Sequence, residues 1–335
     1  MGSTTDKKRS RGSRGGKPAA AYKDGPTAEG DGSAAKGLRA ADFIRSYWIA
    51  LRVFSLSLAV GGAGFGLIAA WYRGELFLRG SFDGWLLVFL VMIAGLCSQA
   101  GANLINDYFE GSFKYPDSSQ RTMQFLGRRR TFFDVFVFVS GIGALGLAGL
   151  IGLYLVWRTD YVMLVIGLVG LIGSYAYTGE PFVYKRRGLG VPLSFVLMGP
   201  LMNLGAWYAV TSELSWYPVL LGLPVALFVP AMMISNEMRD FYRDHRISMG
   251  TLSVRIGRRP SIILYDLLTF GAFLLTAGYV ALGFYPVAAL AVWLTLPLAV
   301  SGHLRVLGHH SRSIPATNQL HLFFMSILIA ALLLG

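Results

Sequence analysis

Acidic and amide side chains recur every fourth residue in the segment SNEMRDFYRD, which closes a long apolar run. Asn236, Asp240 and Asp244 have this spacing, which places all three on one face of a helix. Arg239 and Arg243 follow the same spacing beside them. Because charge at the end of a membrane helix is costly, the pattern indicates a functional site.

A second polar stretch, NLINDYFEGSFKYPDSSQRT, closes an earlier apolar run. Two helical registers are open, since Asn103 pairs with Asp107 at i,i+4 and Asn106 pairs with Glu110. Asp107 and Glu110 also share a face at i,i+3, and Asp117 follows after a predicted loop. We expect the two polar helix ends to face each other across a cavity.

Oxygen-rich clusters of this kind suit magnesium, a hard cation that takes carboxylate, amide and phosphate oxygens as ligands. The flanking arginines suit the phosphates of a substrate held by that cation. The pattern therefore predicts a membrane enzyme that uses Mg²⁺ and a diphosphate substrate. The predicted catalytic carboxylates are Asp240, Asp244 and Glu110. The predicted metal ligands are Asn106, Asp107, Glu110, Asp117, Asn236, Asp240 and Asp244.

The apolar runs that carry these motifs dominate the chain. The 335 residues are 54% hydrophobic and only 14% charged, which is far less charge than soluble domains carry. A membrane-spanning helix needs about 20 mostly apolar residues. The sequence predicts an all-α, polytopic membrane protein with nine transmembrane helices around a central cavity open to the cytoplasmic side. The predicted spans are 46–72, 84–106, 132–156, 161–178, 192–211, 217–238, 262–282, 284–302 and 318–334.

The net charge of +12 could indicate a nucleic-acid partner, but its placement favours a lipid bilayer and no nucleic acid. If the N-terminus is cytoplasmic and nine spans alternate, sixteen lysines and arginines lie in cytoplasmic loops. The opposite loops hold only Arg73, Arg79 and Arg158. This bias follows the positive-inside rule. It predicts a multi-pass protein of the cell (inner or plasma) membrane with both acidic stretches on the cytoplasmic side.

The chain divides into a tail and a membrane domain. Residues 1–42 are rich in Gly, Ser, Ala, Lys and Arg, so they are predicted to be a disordered basic tail. Residues 43–335 are predicted to form a single domain of transmembrane helices. The single cysteine, Cys97, lies inside a predicted span and offers neither a disulfide nor a thiolate metal site.

Several other polar residues admit two interpretations. Tyr175 and Tyr177 could line the site, where aromatic faces stabilise an allylic cation, or belong to an interfacial aromatic belt. Asn203, inside a later span, could contact the aromatic or prenyl substrate or form an interhelical hydrogen bond. Arg52 could face a polar cavity within the first span or precede its true start. The basic run GRRR at 127–130 is interpreted as topogenic.

Three quoted stretches carry a family resemblance. NLINDYFE, NEMRDFYRD followed by TLSVRIG, and YTGEPFVYKRRGLGVPLSFVLMGPLM together resemble the UbiA superfamily of intramembrane aromatic prenyltransferases. The resemblance covers roughly residues 43–335, in order. Within the superfamily, the chain is most similar to the branch that acts on 1,4-dihydroxy-2-naphthoate in menaquinone synthesis.

The resemblance implies roles for individual residues. Asn106 and Glu110 match the family's first metal motif, with Asp117 as its later acid. The second metal motif matches at Asn236, Asp240 and Asp244. The resemblance also implies diphosphate binding by several basic residues, to which the spacing on the helix adds Arg243. These are Arg121, Lys185, Arg239 and Arg243.

The expected reaction is Mg²⁺-dependent transfer of a polyprenyl group from polyprenyl diphosphate to an aromatic acceptor. The resemblance favours 1,4-dihydroxy-2-naphthoate as that acceptor. The same chemistry on 4-hydroxybenzoate, homogentisate or a glycerol phosphate lipid is an alternative. A transporter is an alternative of another class, because intramembrane charge and a weak internal duplication of the acidic motif would suit one.

Overall fold

Long apolar segments form the architecture of this protein, whose computed structural model describes residues 40–78, 80–111, 122–308 and 311–334. A helix satisfies its own backbone hydrogen bonds, so apolar runs of this length fold as helices. The helices are α1 (Ala40–Leu51), α2 (Leu56–Tyr72), α3 (Ser81–Gly111), α4 (Phe132–Arg158), α5 (Tyr161–Ala176), α6 (Gly190–Val196), α7 (Met202–Thr211), α8 (Tyr217–Ala226), α9 (Phe228–Arg246), α10 (Leu252–Ile256), α11 (Arg258–Ala281), α12 (Leu296–Leu307) and α13 (Ser313–Leu334). Short 3₁₀ segments cover Val53–Ser55, Tyr184–Arg187 and Val287–Thr295, and a π turn covers Leu197–Leu201.

The membrane-spanning character of the fold is confirmed. Eight helical segments within the described residues are long and apolar enough to cross a membrane. The predicted span 161–178 is the helix α5, which has only 16 residues, whereas a perpendicular span needs about 20. The prediction of a helical, polytopic membrane protein is therefore confirmed, and the count of nine spans is not.

A β-hairpin between α3 and α4 is the element that the all-α prediction missed. Strand β1 (Thr122–Phe125) pairs antiparallel with strand β2 (Arg128–Thr131). Leu126 and Gly127 form the two-residue turn with φ values of 49° and 72°. Positive φ at both positions gives the turn a twist that matches the twist of the two strands.

The basic run that was interpreted as topogenic forms part of this hairpin. Arg128 pairs with Glu180 at 2.5 Å, and both side chains are exposed. Arg130 is buried, and its guanidinium carbon lies 4.6 Å from the centre of the Tyr108 ring. The purely topogenic interpretation is therefore wrong for Arg130, because the hairpin turns its side chain onto an aromatic cluster on α3 and α4.

The first predicted span consists of two helices, α1 and α2, separated by a break at Arg52. The φ of Arg52 is 51°, in the left-handed region that residues other than glycine rarely adopt. Asn103 on α3 stabilises the break by donating hydrogen bonds to the Leu51 carbonyl oxygen at 2.9 Å and to Ser55 Oγ at 2.8 Å. The break directs the Arg52 side chain towards α3.

Helix α1 presents two different faces. Ile44, Trp48 and Ile49 are each more than half exposed, whereas Phe43 makes edge-on ring contacts with α4. Residues 1–39 of the predicted tail lie outside the described residues, and the last three residues of that predicted tail are helical. The domain therefore begins with a helix that packs on α4 through one face and leaves an apolar face uncovered.

Glycines of α2 bring this helix into direct contact with α7 and the π turn before it. A Cβ at Gly62 would lie 2.4 Å from the Met198 carbonyl oxygen, and a Cβ at Gly66 would lie 2.2 Å from the Asn203 carbonyl oxygen. Neither position has room for a methyl group. Small residues at such crossings allow backbones to approach closely.

This packing predicts opposite effects for two neighbouring glycines. Gly66→Ala should lower the free energy of unfolding by about 1–3 kcal/mol, because the new methyl group meets rigid backbone. Gly64→Ala is the matched control on the same helix, since no atom lies within 4 Å of its added Cβ. Alanine is the better helix former there. Thermal unfolding in detergent measures both, and equal midpoints for the two variants would contradict the close contact.

Candidate active site

The C-terminal end of α3 carries the first polar cluster. The helix continues to Gly111, so Asp107 and Glu110 belong to its last turn. Asn106 is fully buried, Glu110 is 8% exposed, and Asp107 is half-buried. Asn103 uses its amide nitrogen in the hydrogen bonds that stabilise the break between α1 and α2. Of the two registers open from the sequence, the pair Asn106 and Glu110 therefore faces the interior.

Arg52 orients the amide of Asn106. Its guanidinium donates a hydrogen bond to Asn106 Oδ1, while the Asn106 amide nitrogen is buried without a partner. A buried, unsatisfied donor is costly, so this nitrogen is a natural contact for an oxygen of a ligand. Of the two interpretations of Arg52, the structure supports the one in which the side chain faces a polar interior.

Lys185, on the loop that follows α5, pairs with a carboxylate of the first cluster. Its Nζ lies 2.5 Å from Glu110 Oε1, and both side chains are buried. The backbone N–H of Lys185 donates to the Tyr177 carbonyl oxygen at 3.1 Å, and Gly188 ends the turn with a φ of 77°. A buried carboxylate and a buried ammonium are thus paired at hydrogen-bond distance.

The C-terminal half of α9 carries the second cluster, in which arginines donate hydrogen bonds to the carboxylate and amide oxygens. Arg239 donates to Asp240 at 2.6 Å and to Asn236 Oδ1 at 2.9 Å. Arg243 lies 3.0 Å from Asp240 and 2.8 Å from Asp244. Asp244 is almost completely buried, and Asp240 is partly exposed. Helical spacing puts these residues on one face, as predicted.

The two clusters lie within electrostatic range of each other. Glu110 on α3 acts on Arg243 of α9, and Lys185 acts on both Asp240 and Asp244. Within the described residues, no three acidic, histidine or cysteine side chains are grouped closely enough to hold a metal ion. Cationic side chains hold the oxygens of both clusters instead.

Tyr177 lies beside both clusters. Lys185 Nζ is 5.6 Å from the centre of its ring, and the ring packs edge-on against Tyr184 at 5.5 Å. Glu110 and Asp244 both act on its phenol electrostatically. Burial, together with these nearby carboxylates, raises the pKa of Tyr177 well above its usual value, so the phenol stays neutral.

Two further predicted site residues, Tyr175 and Asn203, make packing contacts of their own. Tyr175 donates to the Glu180 carbonyl oxygen at 3.2 Å and packs with the aromatic cluster beneath the hairpin. Asn203 is fully buried where α7 crosses α2 and α8, so it is part of the helix packing. Asp117 and Arg121 lie outside the described residues.

Further along α3 from the first cluster, an apolar and partly open cavity of about 480 Å³ lies between α3, α4, α5 and α7. Its lining runs along α4 from Gly146 to Val156 and along α5 from Met163 to Ser174. At 1.5 Å per residue these stretches are roughly 15 Å long. Gln99 lines the same cavity and lies two turns before Asn106 on α3, so the cavity leads away from the first cluster.

Glycines form much of the cavity wall without a packing reason. Gly146, Gly152, Gly167 and Gly170 line it, and no atom lies within 4 Å of a Cβ added at any of the four. Glycine inside a helix costs roughly 0.5–1 kcal/mol relative to alanine. Their missing side chains therefore leave open space at the cavity wall, whereas Gly62 and Gly66 leave space for another helix.

Sequence reasoning assigned no role to Glu237, which lies between Asn236 and the rest of the acidic face. It is 5% exposed, and its carboxylate accepts a hydrogen bond from the Ser253 backbone N–H at 2.8 Å. The sequence signal was weak, because Glu237 falls outside the series with four-residue spacing. These features define a polytopic helical membrane protein that has two polar helix ends and an apolar cavity further along α3.

Comparison with known proteins identifies the family. A model of the UbiA prenyltransferase family matches residues 65–328, which is more than half of the chain. The chain belongs to this family, and it is a prenyltransferase. The predicted family resemblance is thereby confirmed, and the alternative of a transporter is set aside.

The relatives are distant but span most of the domain. The 1,4-dihydroxy-2-naphthoate octaprenyltransferase of Bacillus subtilis is 26% identical over 75% of this chain and 82% of its own length. The enzyme of the same name from Mycobacterium leprae is 25% identical over 57% of this chain, which spans 65% of that relative. UbiA prenyltransferase domain-containing protein 1 of Gallus gallus is 30% identical over 76% of this chain and 74% of its own length.

A solved structure shows the same fold. The apo structure of a UbiA homologue from Aeropyrum pernix K1 superposes with a TM-score of 0.60 over 82% of this chain and 98% of that chain. The sequence identity is 15%, so the likeness concerns the fold alone.

The buried pair of Lys185 and Glu110 gives a stability prediction. Lys185→Met removes the ammonium that is paired with the buried Glu110 carboxylate and should lower the free energy of unfolding by about 3 kcal/mol. The double variant Lys185→Met with Glu110→Met should recover most of that loss, because it buries no charge. Denaturant titration in detergent measures both, and a double variant as unstable as the single one would contradict a direct pair.

Proposed function

We propose that this protein transfers a polyprenyl group from a polyprenyl diphosphate to 1,4-dihydroxy-2-naphthoate, in the manner of the relatives that carry that name. One observation carries the proposal: α3 ends in a carboxylate cluster held by lysine, a second cluster held by arginines lies within electrostatic range of it, and an apolar cavity of about 480 Å³ lies further along α3. The clusters suit a diphosphate with its cation, and the cavity suits an isoprenoid chain.

The donor set suits Mg²⁺ by the chemical type of its atoms, although no three acidic side chains among the described residues are grouped closely enough to hold an ion. The residues that would hold it are the carboxylates of Asp107, Glu110, Asp240 and Asp244, with amide oxygens from Asn106 and Asn236 and Asp117 as a later acid. All are oxygen donors of the kind that magnesium takes together with substrate phosphates. A bound ion would supply positive charge to the departing diphosphate.

The basic side chains have a second task in this proposal. Lys185, Arg239 and Arg243 hold carboxylates in the structure. A diphosphate carries the same sign of charge as those carboxylates, so the same side chains could also donate to its oxygens if a bound cation compensated the carboxylates. Arg121 is a further candidate for this group.

Bond cleavage at an allylic diphosphate leaves a cation on the isoprenoid, which must be stabilised and kept from water. The Tyr177 ring lies beside Lys185, where its π face can stabilise that cation. Because the Tyr177 phenol is neutral, it carries no negative charge that would compete with the acceptor for the isoprenoid cation. The dry walls of the cavity exclude water from the apolar part of the substrate. The acceptor's ring carbon then forms the new bond and loses its substituent, the proton or the carboxylate.

The proposal places the protein in the cell membrane with its N-terminus and both clusters on the cytoplasmic side. The distribution of lysine and arginine between the loops supports this orientation. Residues 1–42 are proposed to be a solvated basic tail. Polar substrates would reach the clusters from the cytoplasm, whereas the isoprenoid chain would enter from the bilayer.

Mass spectrometry of lipid extracts tests the proposed reaction directly. Purified protein, Mg²⁺ and a polyprenyl diphosphate are incubated with dihydroxynaphthoate, 4-hydroxybenzoate, homogentisate or a glycerol phosphate lipid. We expect a prenylated, decarboxylated naphthoquinol, and a chelator should abolish it because the diphosphate then lacks its counter-ion. Asp240→Ala is the inactive control. A product with another acceptor alone would refute the naphthoate assignment, and product in the chelator would refute the metal.

The cavity predicts an effect on chain length. Gly152→Leu should fill part of the cavity and lower the yield from long polyprenyl diphosphates about tenfold relative to a short one. Gly143→Leu is the matched control, because Gly143 lies on the same helix, is exposed, and has no atom within 4 Å of its added Cβ. Competition between diphosphates of different length measures the ratio. An unchanged ratio in Gly152→Leu would show that the isoprenoid lies elsewhere.

A further inference from the structure

Glu237 is a buried acid for which the proposed chemistry has no direct use. Its Oε2 accepts from the Ser253 backbone N–H at 2.8 Å, and the Leu252 N–H also interacts with its carboxylate. Leu252 and Ser253 are the first two residues of α10. The side chain thus reaches from the middle of α9 to the start of a different helix.

The first turn of α10 has no cap of its own. Thr251 stands at the N-cap position, but its side chain makes no capping hydrogen bond, and both Thr251 and Ser253 are fully buried. The first N–H groups of a helix have no partner within the helix, and burying them unpaired is costly. Glu237 therefore takes the role that an N-cap side chain usually has, from another helix.

The short helix α10 in turn supports the loop that carries Lys185. A Cβ at Gly188 would lie 2.5 Å from Arg255 Cδ, and a Cβ at Gly250 would lie 2.7 Å from the Arg186 carbonyl oxygen. Arg255 is fixed by a hydrogen bond from its Nε to the Gly250 carbonyl oxygen at 2.8 Å. The two segments touch without room for a methyl group, so a shift of α10 moves the Lys185 loop.

We infer that Glu237 is a positioning residue that sets the place of Lys185 through α10. The backbone N–H of Lys185 is held by its hydrogen bond to the Tyr177 carbonyl oxygen. The same loop is held on the other side at Arg186 and Gly188, which lie against the segment that contains α10. Its ammonium then meets Glu110 and, on the proposed function on which this inference rests, the diphosphate. Glu237 touches neither substrate nor metal in this role.

Two conservative substitutions separate positioning from charge. Glu237→Gln keeps the length and an oxygen acceptor but removes the charge, whereas Glu237→Asp keeps the charge but shortens the arm by one methylene. Positioning predicts that Glu237→Gln stays within about twofold of wild type, and that Glu237→Asp binds Mg²⁺-pyrophosphate about tenfold more weakly. The KM for polyprenyl diphosphate should rise by the same factor in Glu237→Asp.

A control for general damage is Asp160→Ala. Asp160 also caps a helix, through the Val162 N–H at 2.8 Å, but it lies at the start of α5, away from both clusters. This variant should lose stability and keep wild-type affinity for Mg²⁺-pyrophosphate. Calorimetric titration with Mg²⁺-pyrophosphate needs no turnover, so it applies to every variant that is folded by thermal unfolding.

The outcomes distinguish the inference from the function on which it rests. Wild-type affinity for Mg²⁺-pyrophosphate in Glu237→Asp would overturn the inference alone. A Glu237→Gln variant weaker than Glu237→Asp would also overturn it, because the charge would then matter more than the reach. Pyrophosphate binding by the wild type with no prenyl product from any acceptor would overturn the proposed function and leave the positioning role standing.

Discussion

Buried carboxylates at two helix ends have to be neutralised, and this requirement determines how the polar half of the molecule is built. Glu110 on α3 and Asp244 on α9 are both inside the protein, where an unpaired charge would cost several kcal/mol. The chain meets the requirement with cations from two elements: Lys185 on a loop pairs with Glu110, and Arg243 on α9 itself pairs with Asp244. The loop between α5 and α6 therefore has to approach α3 closely, and α10 has to support it.

The apolar half follows a different rule. Lipid tails and apolar side chains are alike, so helices in a membrane associate through close packing rather than through hydrophobic burial. Where α2 crosses α7, glycines let the backbones touch. Where α4 faces α5, several glycines have no atom within 4 Å of an added Cβ, and a cavity remains. The same residue type thus produces a tight seam in one place and an open volume in the other. Which of the two results depends on how closely the neighbouring helix approaches.

The sequence was informative where the signal was local. Apolar run length predicted the helices, and four-residue spacing placed the acidic face on α9 correctly. It was less informative where a contact joins distant segments. Which of Asn103 and Asn106 faces inward depended on the break at Arg52, and the pairing of Lys185 with Glu110 depended on how the loop folds back. The hairpin was missed because its strands are only four residues long. The role of Glu237 depends on a helix that starts fifteen residues later.

The break at Arg52 connects the membrane surface with the interior. The segment Ala40–Tyr72 has 33 residues, more than the about 20 that cross a bilayer, so α1 need not cross it. Its exposed Ile44, Trp48 and Ile49 suit the boundary between headgroups and tails, where tryptophan is enriched. If α1 tilted at that boundary, Arg52 would move with it. The hydrogen bond from Arg52 would then shift the Asn106 side chain. The lipid composition of the surrounding leaflet would then adjust the geometry of a site that lies beneath it.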